Sequence, residues 1–440
     1  MQPAARIASL IELLAEVEAT IAAQSTPVDT VVGNFFRARR YAGSKDRRFI
    51  SEMLYQIVRQ RELLLWCAVK LETDATARFM ALAFLVQSEE DIATLFAAEG
   101  IYMPDALSEA ETAQLAALKA LDLDEAPDAV RLNVPNWALA GLQGRYGDKW
   151  QEAAQGLNEQ APVDLRLNKL KSKSEPRESF HDRGVALENT PYSPIGLRSL
   201  KNVALGSIDD YKRGILEVQD EAAQLASLLV EAKPGMQVVD LCAGAGGKSL
   251  TVAAQMENKG QLYAFDTNAK RLDACKKRAQ RSGTRNIQVA KLPIGEKDRV
   301  EALSHLRGEC DRVYVDVPCS GTGTWRRSPD QRWRHSAESL ADLYRVQYAL
   351  LSEAADLVKP GSRLIYMTCS VLCAENEDVV KRFLESTPDW TLVDYKDVWT
   401  AAIGTDAPNS LSTSPEMLQL SPEQHNTDGF FVAIFQKNSS

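Results

Sequence analysis

From Ile7 to about Arg145, apolar residues recur at intervals of three and four. Leu10, Leu13, Leu14 and Val17 make one stripe, and Ile50, Leu54, Ile57 and Val58 make another, the period of helices that bury one face. Pro27, Pro104 and Pro127 punctuate the stretch, so it predicts a bundle of several short helices. From about Tyr146 to Gly214 the pattern weakens to one alternating run, Val163, Leu165 and Leu167, among many turn residues, which predicts a small mixed α/β connector. From Ile215 onward short β-rich runs alternate with helical stretches, as in a parallel sheet covered by helices. The expected organisation is an all-α domain over residues 1–145, a connector over 146–214 and an α/β domain over 215–440.

A chain of 440 residues with 45% apolar and 25% charged side chains has ordinary globular composition. Its longest apolar runs fall far short of the about 20 residues that span a membrane. Arg6 and Glu12 lie among helically spaced apolar residues, so the N-terminus does not read as a signal peptide. Seven scattered cysteines suggest reduced thiols, hence a cytoplasmic protein, and four histidines away from any cysteine cluster predict no metal site. A monomer is expected.

The net charge of −9 argues against a nucleic-acid partner, but its distribution weakens that argument. Residues 34–61 carry eight basic side chains, Arg39 and Arg40 among them, against Asp46 and Glu52. Residues 89–128 carry eleven acidic side chains against Lys119. Screening confines each field to roughly 10 Å, so the basic stretch keeps its own reach toward phosphates. Phe35, Phe36, Tyr41 and Phe49 sit among these arginines at helical spacing and are expected in the core.

The third region carries the chemistry. Gln237-Val-Val-Asp-Leu241 runs into Cys242-Ala-Gly-Ala-Gly-Gly-Lys-Ser249 and then a helical stretch. Glycines at 244, 246 and 247 let a backbone approach a ligand, and the helix start offers free N–H groups. A phosphate loop is excluded, because it needs glycine where Cys242 stands. A second strand, Gln261-Leu-Tyr-Ala-Phe265, ends in Asp266, placed to accept ribose hydroxyls or to cap the helix that follows. The fourth strand runs into Asp316-Val-Pro-Cys319, and the fifth, Leu364-Ile-Tyr-Met367, into Thr368-Cys369-Ser370. A carboxylate and two thiols thus fall at the sheet edge where ligands bind.

Methylation of a pyrimidine ring carbon wants this set. Carbon 5 of cytosine becomes nucleophilic only after a thiolate adds to carbon 6, and a base must later remove the carbon 5 proton. Asp316 would hydrogen-bond the base edge and help neutralise charge building at ring nitrogen 3. A free thiol titrates near ~8.5, so the nucleophile needs a helix N-terminus or a cation. A helix over residues 374–384, Lys248 and the arginines near 326 are the candidates. Spacing leaves the two thiol roles open, because DNA cytosine methyltransferases use the Pro-Cys cysteine, which is here Cys319.

Asp316-Val-Pro-Cys-Ser-Gly-Thr-Gly-Thr-Trp-Arg-Arg-Ser-Pro-Asp330 with Thr368-Cys-Ser370 resembles the Nop/Sun family of RNA 5-methylcytosine methyltransferases. Gln219-Asp-Glu-Ala-Ala223, the lysine-bearing glycine loop and Asp428-Gly-Phe-Phe431 extend the likeness over about half the chain. Tyr41-Ala-Gly-Ser-Lys-Asp-Arg-Arg-Phe49 is similar to the helical NusB-like domain of the RsmB (Sun) branch, which acts on small-subunit ribosomal RNA. The resemblance implies a Rossmann-like class I methyltransferase domain behind an all-α NusB-like domain. It implies S-adenosylmethionine held by Cys242, Ala243, Gly244, Ala245, Gly246, Gly247, Lys248, Asp266, Arg271 and Asp316. It further implies Cys369 as nucleophile, Cys319 assisting release of the methylated base, and Asp316 and Lys248 beside both base and cofactor. Cys67, Cys275 and Cys310 are left as structural thiols.

The chain departs from the family pattern where Gly244 and Ala245 replace Ala-Pro, which loosens the loop, and where Lys291 follows the third strand in place of an aspartate. RNA contact is expected from Trp325, Arg326 and Arg327, with Arg332, Trp333 and Arg334 beyond them, and from Arg39 and Arg40. The expected activity is methylation of cytosine carbon 5 in small-subunit ribosomal RNA. Transfer RNA is the alternative substrate, and a non-catalytic RNA-binding assembly factor the alternative class.

Overall fold

A computed structural model describes the chain apart from residues 89, 90, 98, 172–179, 181–184, 200–204 and 440. Of the connector expected over 146–214, residues 172–179, 181–184 and 200–204 therefore lie outside the described residues. The chain divides into two compact units, residues 1–158 with 325–337, and residues 159–324 with 338–440.

The first unit is helical. Helix Pro3–Ala22 opens on a proline, whose missing N–H costs nothing in a first turn. Its stripe Leu10, Leu13, Leu14 and Val17 is fully buried in one core with Ile50, Leu54, Ile57 and Val58 of helix Ser44–Arg59. Helix Ala77–Gln87 is apolar all round and buried from Phe79 to Leu85, as a central helix must be. Thr76 caps it, its hydroxyl oxygen accepting the Phe79 N–H at 3.1 Å. Phe35 and Phe36 are core and Phe49 packs against it. Tyr41 is not core: it is 64% exposed, in the turn between helices Val28–Ala38 and Ser44–Arg59, with its ring 6.3 Å from exposed Tyr102.

Two pieces that the sequence pattern assigns elsewhere belong to this helical unit. Helix Trp150–Asn158 buries Ala153, Ala154 and Leu157. Residues 325–337 bring in a buried arginine, Arg332, which donates to the Leu157 carbonyl and Asn158 Oδ1, each at 2.8 Å, and lies over the Trp325 ring. Trp137 Nε1 donates to the Arg332 carbonyl at 2.9 Å, and Arg59 donates to the Arg326 carbonyl at 2.6 Å. Trp325 is 1% and Arg326 4% exposed. Of the three neighbouring residues expected to touch RNA, Trp325 and Arg326 are thus buried, and Arg327 alone is partly exposed.

The second unit holds both sheets. Strands β1 (Val163–Leu167), β2 (Glu188–Asn189), β3 (Gly196–Ser199) and β4 (Leu216–Val218) form a small antiparallel sheet in the order β2-β3-β1-β4. The large sheet comprises β5 (Gln237–Asp240), β6 (Gln261–Asp266), β7 (Ile287–Lys291), β8 (Cys310–Asp316), β9 (Val358–Thr368), β10 (Trp390–Val393), β11 (Leu418–Leu420) and β12 (Phe430–Lys437). Its order is β10-β12-β9-β8-β5-β6-β7, with β11 paired to β12. The five strands β5 to β9 are mutually parallel, and β12 runs antiparallel to β9. This is the Rossmann-like architecture expected. Strand order reverses between β5 and β8, and the crevice at such a switch point is where ligands bind. Val239, Val313, Val315 and Tyr366 form the core on one face, and Val238, Tyr314, Ile365 and Met367 on the other.

Candidate functional site

The glycine loop leaves β5 and enters helix Gly247–Gln255. Gly246 has φ +82°, and a Cβ there would sit 2.5 Å from Cys275 Sγ, so only glycine fits the turn. Gly244, at φ +53°, donates its N–H to Asp266 Oδ2 at 2.8 Å, which ties the loop to the tip of β6. Asp266 Oδ1 accepts the Asn268 N–H at 2.7 Å. The helix Ala269–Ser282 is capped by Asn268 rather than Asp266. Asp266 thus holds two backbone N–H groups while remaining partly exposed, as a ribose-binding carboxylate requires. Arg271 is exposed on that helix, and its backbone N–H donates to the capping Asn268. Lys291 lies opposite Asp266 in the β6–β7 register and is exposed, so no acidic side chain stands there.

The loop lacks proline at position 245 but is fastened from behind. Arg278 donates to the Ala245 carbonyl at 3.1 Å, and Arg166, reaching from β1, donates to the Gly247 carbonyl at 2.7 Å. Arg278 is held by Glu217 at 3.0 Å. Sequence reading missed both arginines, since they stand on elements remote in the chain. The first turn of helix Gly247–Gln255 has no intrahelical acceptor for its N–H groups. This rigid cradle, with Asp266 at its side, fits a nucleoside cofactor.

Below the loop, Asp240 is 1% exposed and accepts from Ser249 Oγ at 2.6 Å and the Cys242 N–H at 3.2 Å. Burial pushes its carboxyl up to about 6. Burial likewise pushes the Cys242 thiol well above its usual range. Cys67, Cys275 and Cys310 are buried, with thiols pushed up to about 11, 11 and 12, and have the inertness of core residues.

At the other side of the switch point, β8 and β9 pair Asp316 with Met367, so their following loops lie side by side. Cys319 Sγ and Cys369 Sγ are 3.3 Å apart. The Cys319 thiol is pushed well above its ordinary value by its bond to Cys369, by burial and by the negative charge of Glu375. Lys248 Nζ is 2.5 Å from Asp316 Oδ2 and 4.8 Å from the centroid of the Phe430 ring. Burial opposes the Lys248 charge, but Asp316, with help from Cys369 and Asp240, outweighs it and raises the ammonium above its usual range. Lys248 is thus the cation whose field reaches Cys369. The helix expected over 374–384 begins at Glu377, behind a 3-10 turn at Cys373–Glu375, and its first turn is acidic. Arg326 belongs to the helical unit.

The two thiol loops are latched together. Gly323 N–H donates to the Cys369 carbonyl at 3.0 Å, and Val371 N–H to Thr322 Oγ1 at 2.9 Å. Gly429 N–H donates to the Gly323 carbonyl at 2.8 Å, so close that a Cβ on Gly323 would fall 2.1 Å from the Gly429 oxygen. Asp220 accepts the Asp428 N–H at 3.2 Å, which joins the 219–223 and 428–431 motifs. Among the described residues no cluster of ligating side chains could hold a metal ion, and no helix is long and apolar enough to cross a membrane.

The family model for 16S rRNA methyltransferase RsmB/F matches residues 227–436, and that for the ferredoxin-like domain of RsmF/B-like proteins matches residues 134–205. A probable ribosomal RNA small subunit methyltransferase B of Synechocystis sp. is 33% identical over 323 residues, covering 72% of this chain and 70% of its own length. The ribosomal RNA small subunit methyltransferase B of Shewanella oneidensis is 31% identical over 322 residues, with 72% and 69% covered. The crystal structure of PH0851 superposes with a TM-score of 0.77 over 99% of both chains at 24% identity. NSun6 from Pyrococcus horikoshii with SFG gives 0.61 over 70% of this chain and 99% of its own at 18% identity. These structural likenesses speak for the fold alone.

Proposed function

The chain belongs to the RsmB/F (Nop/Sun) methyltransferase family and uses S-adenosylmethionine, and on that premise we propose that it methylates carbon 5 of a cytosine in small-subunit ribosomal RNA. The observation that carries the chemistry is the thiol pair, Cys319 and Cys369 at 3.3 Å, beside the Lys248–Asp316 ion pair.

Cys369 loses its proton to solvent and its sulfur bonds carbon 6. Asp316 accepts from the exocyclic amine of the base, and the Lys248 charge behind it offsets the negative charge that develops on the ring. The cofactor, when bound in the 242–248 loop with Asp266 at its ribose, supplies a methyl group electrophilic enough for carbon 5. Cys319, having given its own proton to solvent, then takes the carbon 5 proton as a thiolate, the carbon 5–carbon 6 double bond re-forms, and the Cys369 sulfur leaves. Once Cys369 is bonded to carbon, the first cause of the raised Cys319 value is removed, which eases its ionisation against the burial and the Glu375 charge that remain.

Contact with RNA phosphates on the helical unit falls to Arg40, which is exposed, and to Arg39, which shares its guanidinium with Glu12 at 2.9 Å. On the second unit, Lys270, Arg271, Lys276, Lys277, Arg285 and Lys291 are exposed and form no ion pair among the described residues, which suits the same role.

The test is methyl transfer from labelled S-adenosylmethionine to unmodified small-subunit RNA, with nucleoside analysis of the product. Labelled 5-methylcytidine from the wild type and none from Cys369→Ser supports the proposal. A dead Cys319→Ser beside an active Cys369→Ser exchanges the thiol roles. Label on transfer RNA alone changes the substrate, and no label on either favours an assembly factor.

A further inference from the structure

One buried carboxylate is used by neither cofactor nor base. Glu375 is 0% exposed, and every group bonded to it is neutral. Its Oε1 accepts the Ser320 N–H at 2.8 Å and Gln347 Nε2 at 2.9 Å. Its Oε2 accepts Ser320 Oγ and Ser370 Oγ, each at 2.5 Å. Ser320 follows Cys319 and Ser370 follows Cys369, so a single carboxylate grips the residue next to each thiol. Gln347 extends the grip, donating also to the Pro318 carbonyl at 3.0 Å, on the other side of Cys319.

Glu375 is itself fixed. Its backbone carbonyl accepts Tyr366 OH from β9 at 2.6 Å. Its neighbour Asn376 accepts from Thr368 Oγ1 at 2.6 Å and donates to the Ser370 carbonyl at 3.0 Å. Burying a carboxylate without a cation is costly, and the four donors offset that cost. A packing role needs no charge at this point, whereas holding two separate loops by four donors needs two oxygens with free lone pairs.

We infer that Glu375 is the positioning residue of the thiol pair: its carboxylate holds the Cys319 and Cys369 loops in the one register that sets the two sulfurs side by side. The inference rests on the reading of this pair as the reacting centre. Misplacement of a reacting group by about 1 Å costs about 10²-fold in rate, so a group that fixes both sulfurs acts on turnover more than on affinity. Glu375 also contributes negative charge behind Cys319. The titratable groups facing that thiol are Cys369, Glu375 and the Tyr366 hydroxyl.

The experiment uses the full chain and the variants Glu375→Gln, Glu375→Ala and Ser370→Ala. It measures methyl-transfer kcat and KM, S-adenosylmethionine Kd, the melting temperature, and the pH profile of Cys319 alkylation by iodoacetamide without RNA or cofactor. Glutamine keeps one acceptor oxygen but turns an amide N–H toward the serine hydroxyls. For Glu375→Gln the expected result is kcat down about tenfold with KM and Kd unchanged, and Cys319 alkylated at lower pH than in the wild type. Glu375→Ala loses about 10²-fold, and Ser370→Ala adds little to it because both remove the same tie. If Glu375→Ala does not fold, Glu375→Gln and Ser370→Ala carry the test. A wild-type kcat and an unmoved alkylation profile in Glu375→Gln overturn the inference. If the wild type makes no 5-methylcytidine and Glu375→Gln still shifts the alkylation profile, the proposed reaction falls and the positioning role stands.

Discussion

Lys248 and Asp316 form an ion pair at 2.5 Å across the switch point, one from the first turn behind β5 and the other from the tip of β8. The lysine side chain is 14% and the aspartate 29% exposed, so water screens the pair only in part. Removing one partner leaves the other charge poorly compensated. Lys248→Met and Asp316→Asn are each expected to lower methyl transfer by at least about 10²-fold in kcat/KM. Lys248 is raised in the folded state, so its stabilising share is complete below its unfolded value near 10.5 and fades only as pH rises beyond that. Urea unfolding of the wild type and Lys248→Met, compared from pH 7 to 11, checks the sign.

Asp240 gives the opposite pH signature. Its carboxyl titrates at about 6 when folded against an ordinary 3.8 when unfolded, so the native state holds more protons between these limits. Stability therefore falls as pH rises through that window, by about 3 kcal/mol from this group in total. Asp240→Asn removes that slope. Denaturant unfolding from pH 3.5 to 7 should show the variant gaining on the wild type as pH rises, and parallel curves would refute the assignment.

The glycine loop is expected to fail at two places for two reasons. Gly246→Ala forces a Cβ against Cys275 and holds alanine at a positive φ, a strain of about 1–3 kcal/mol. Arg278→Ala frees the Ala245 carbonyl without strain. Calorimetric titration with S-adenosylmethionine should show weaker binding in both. Both should also lose thermal stability, the second because Glu217, its side chain 1% exposed, is left to Arg281.

Arg332 anchors residues 325–337 within the helical unit. It is 1% exposed, and its guanidinium serves two acceptors and covers Trp325. Arg332→Ala leaves those acceptors and a cavity, at an expected cost of about 3 kcal/mol, read as a lower melting temperature.

Arg40, exposed and without an ion-pair partner among the described residues, is expected to act through phosphate alone. An Arg39→Glu, Arg40→Glu double variant should bind RNA more weakly with a salt slope reduced by about 2, whatever the sequence of the RNA. An unchanged slope would remove this segment from the RNA surface.

The helical stripes, the parallel sheet covered by helices and the side chains proposed to react were legible in the chain. Each depends on local period or on residues adjacent in sequence: Leu10 to Val17 bury by a 3.6-residue repeat, and Asp316 and Cys319 sit three residues apart. Tyr41 was misjudged because helical spacing continued on paper through a turn that breaks it in space.

Contacts between distant segments were decided by the tertiary structure. The 3.3 Å approach of Cys319 to Cys369 requires β8 and β9 to pair in one register across 50 residues of chain. Arg278, Arg166 and Glu375 carry no motif, because hydrogen bonds to a carbonyl or a serine are indifferent to sequence distance. Residues 325–337 read as a basic, aromatic RNA surface until folding turned Arg332 and Trp325 inward. Amino-acid type fixes which groups can react or bury, while the long-range pairing of strands and loops fixes which of them meet.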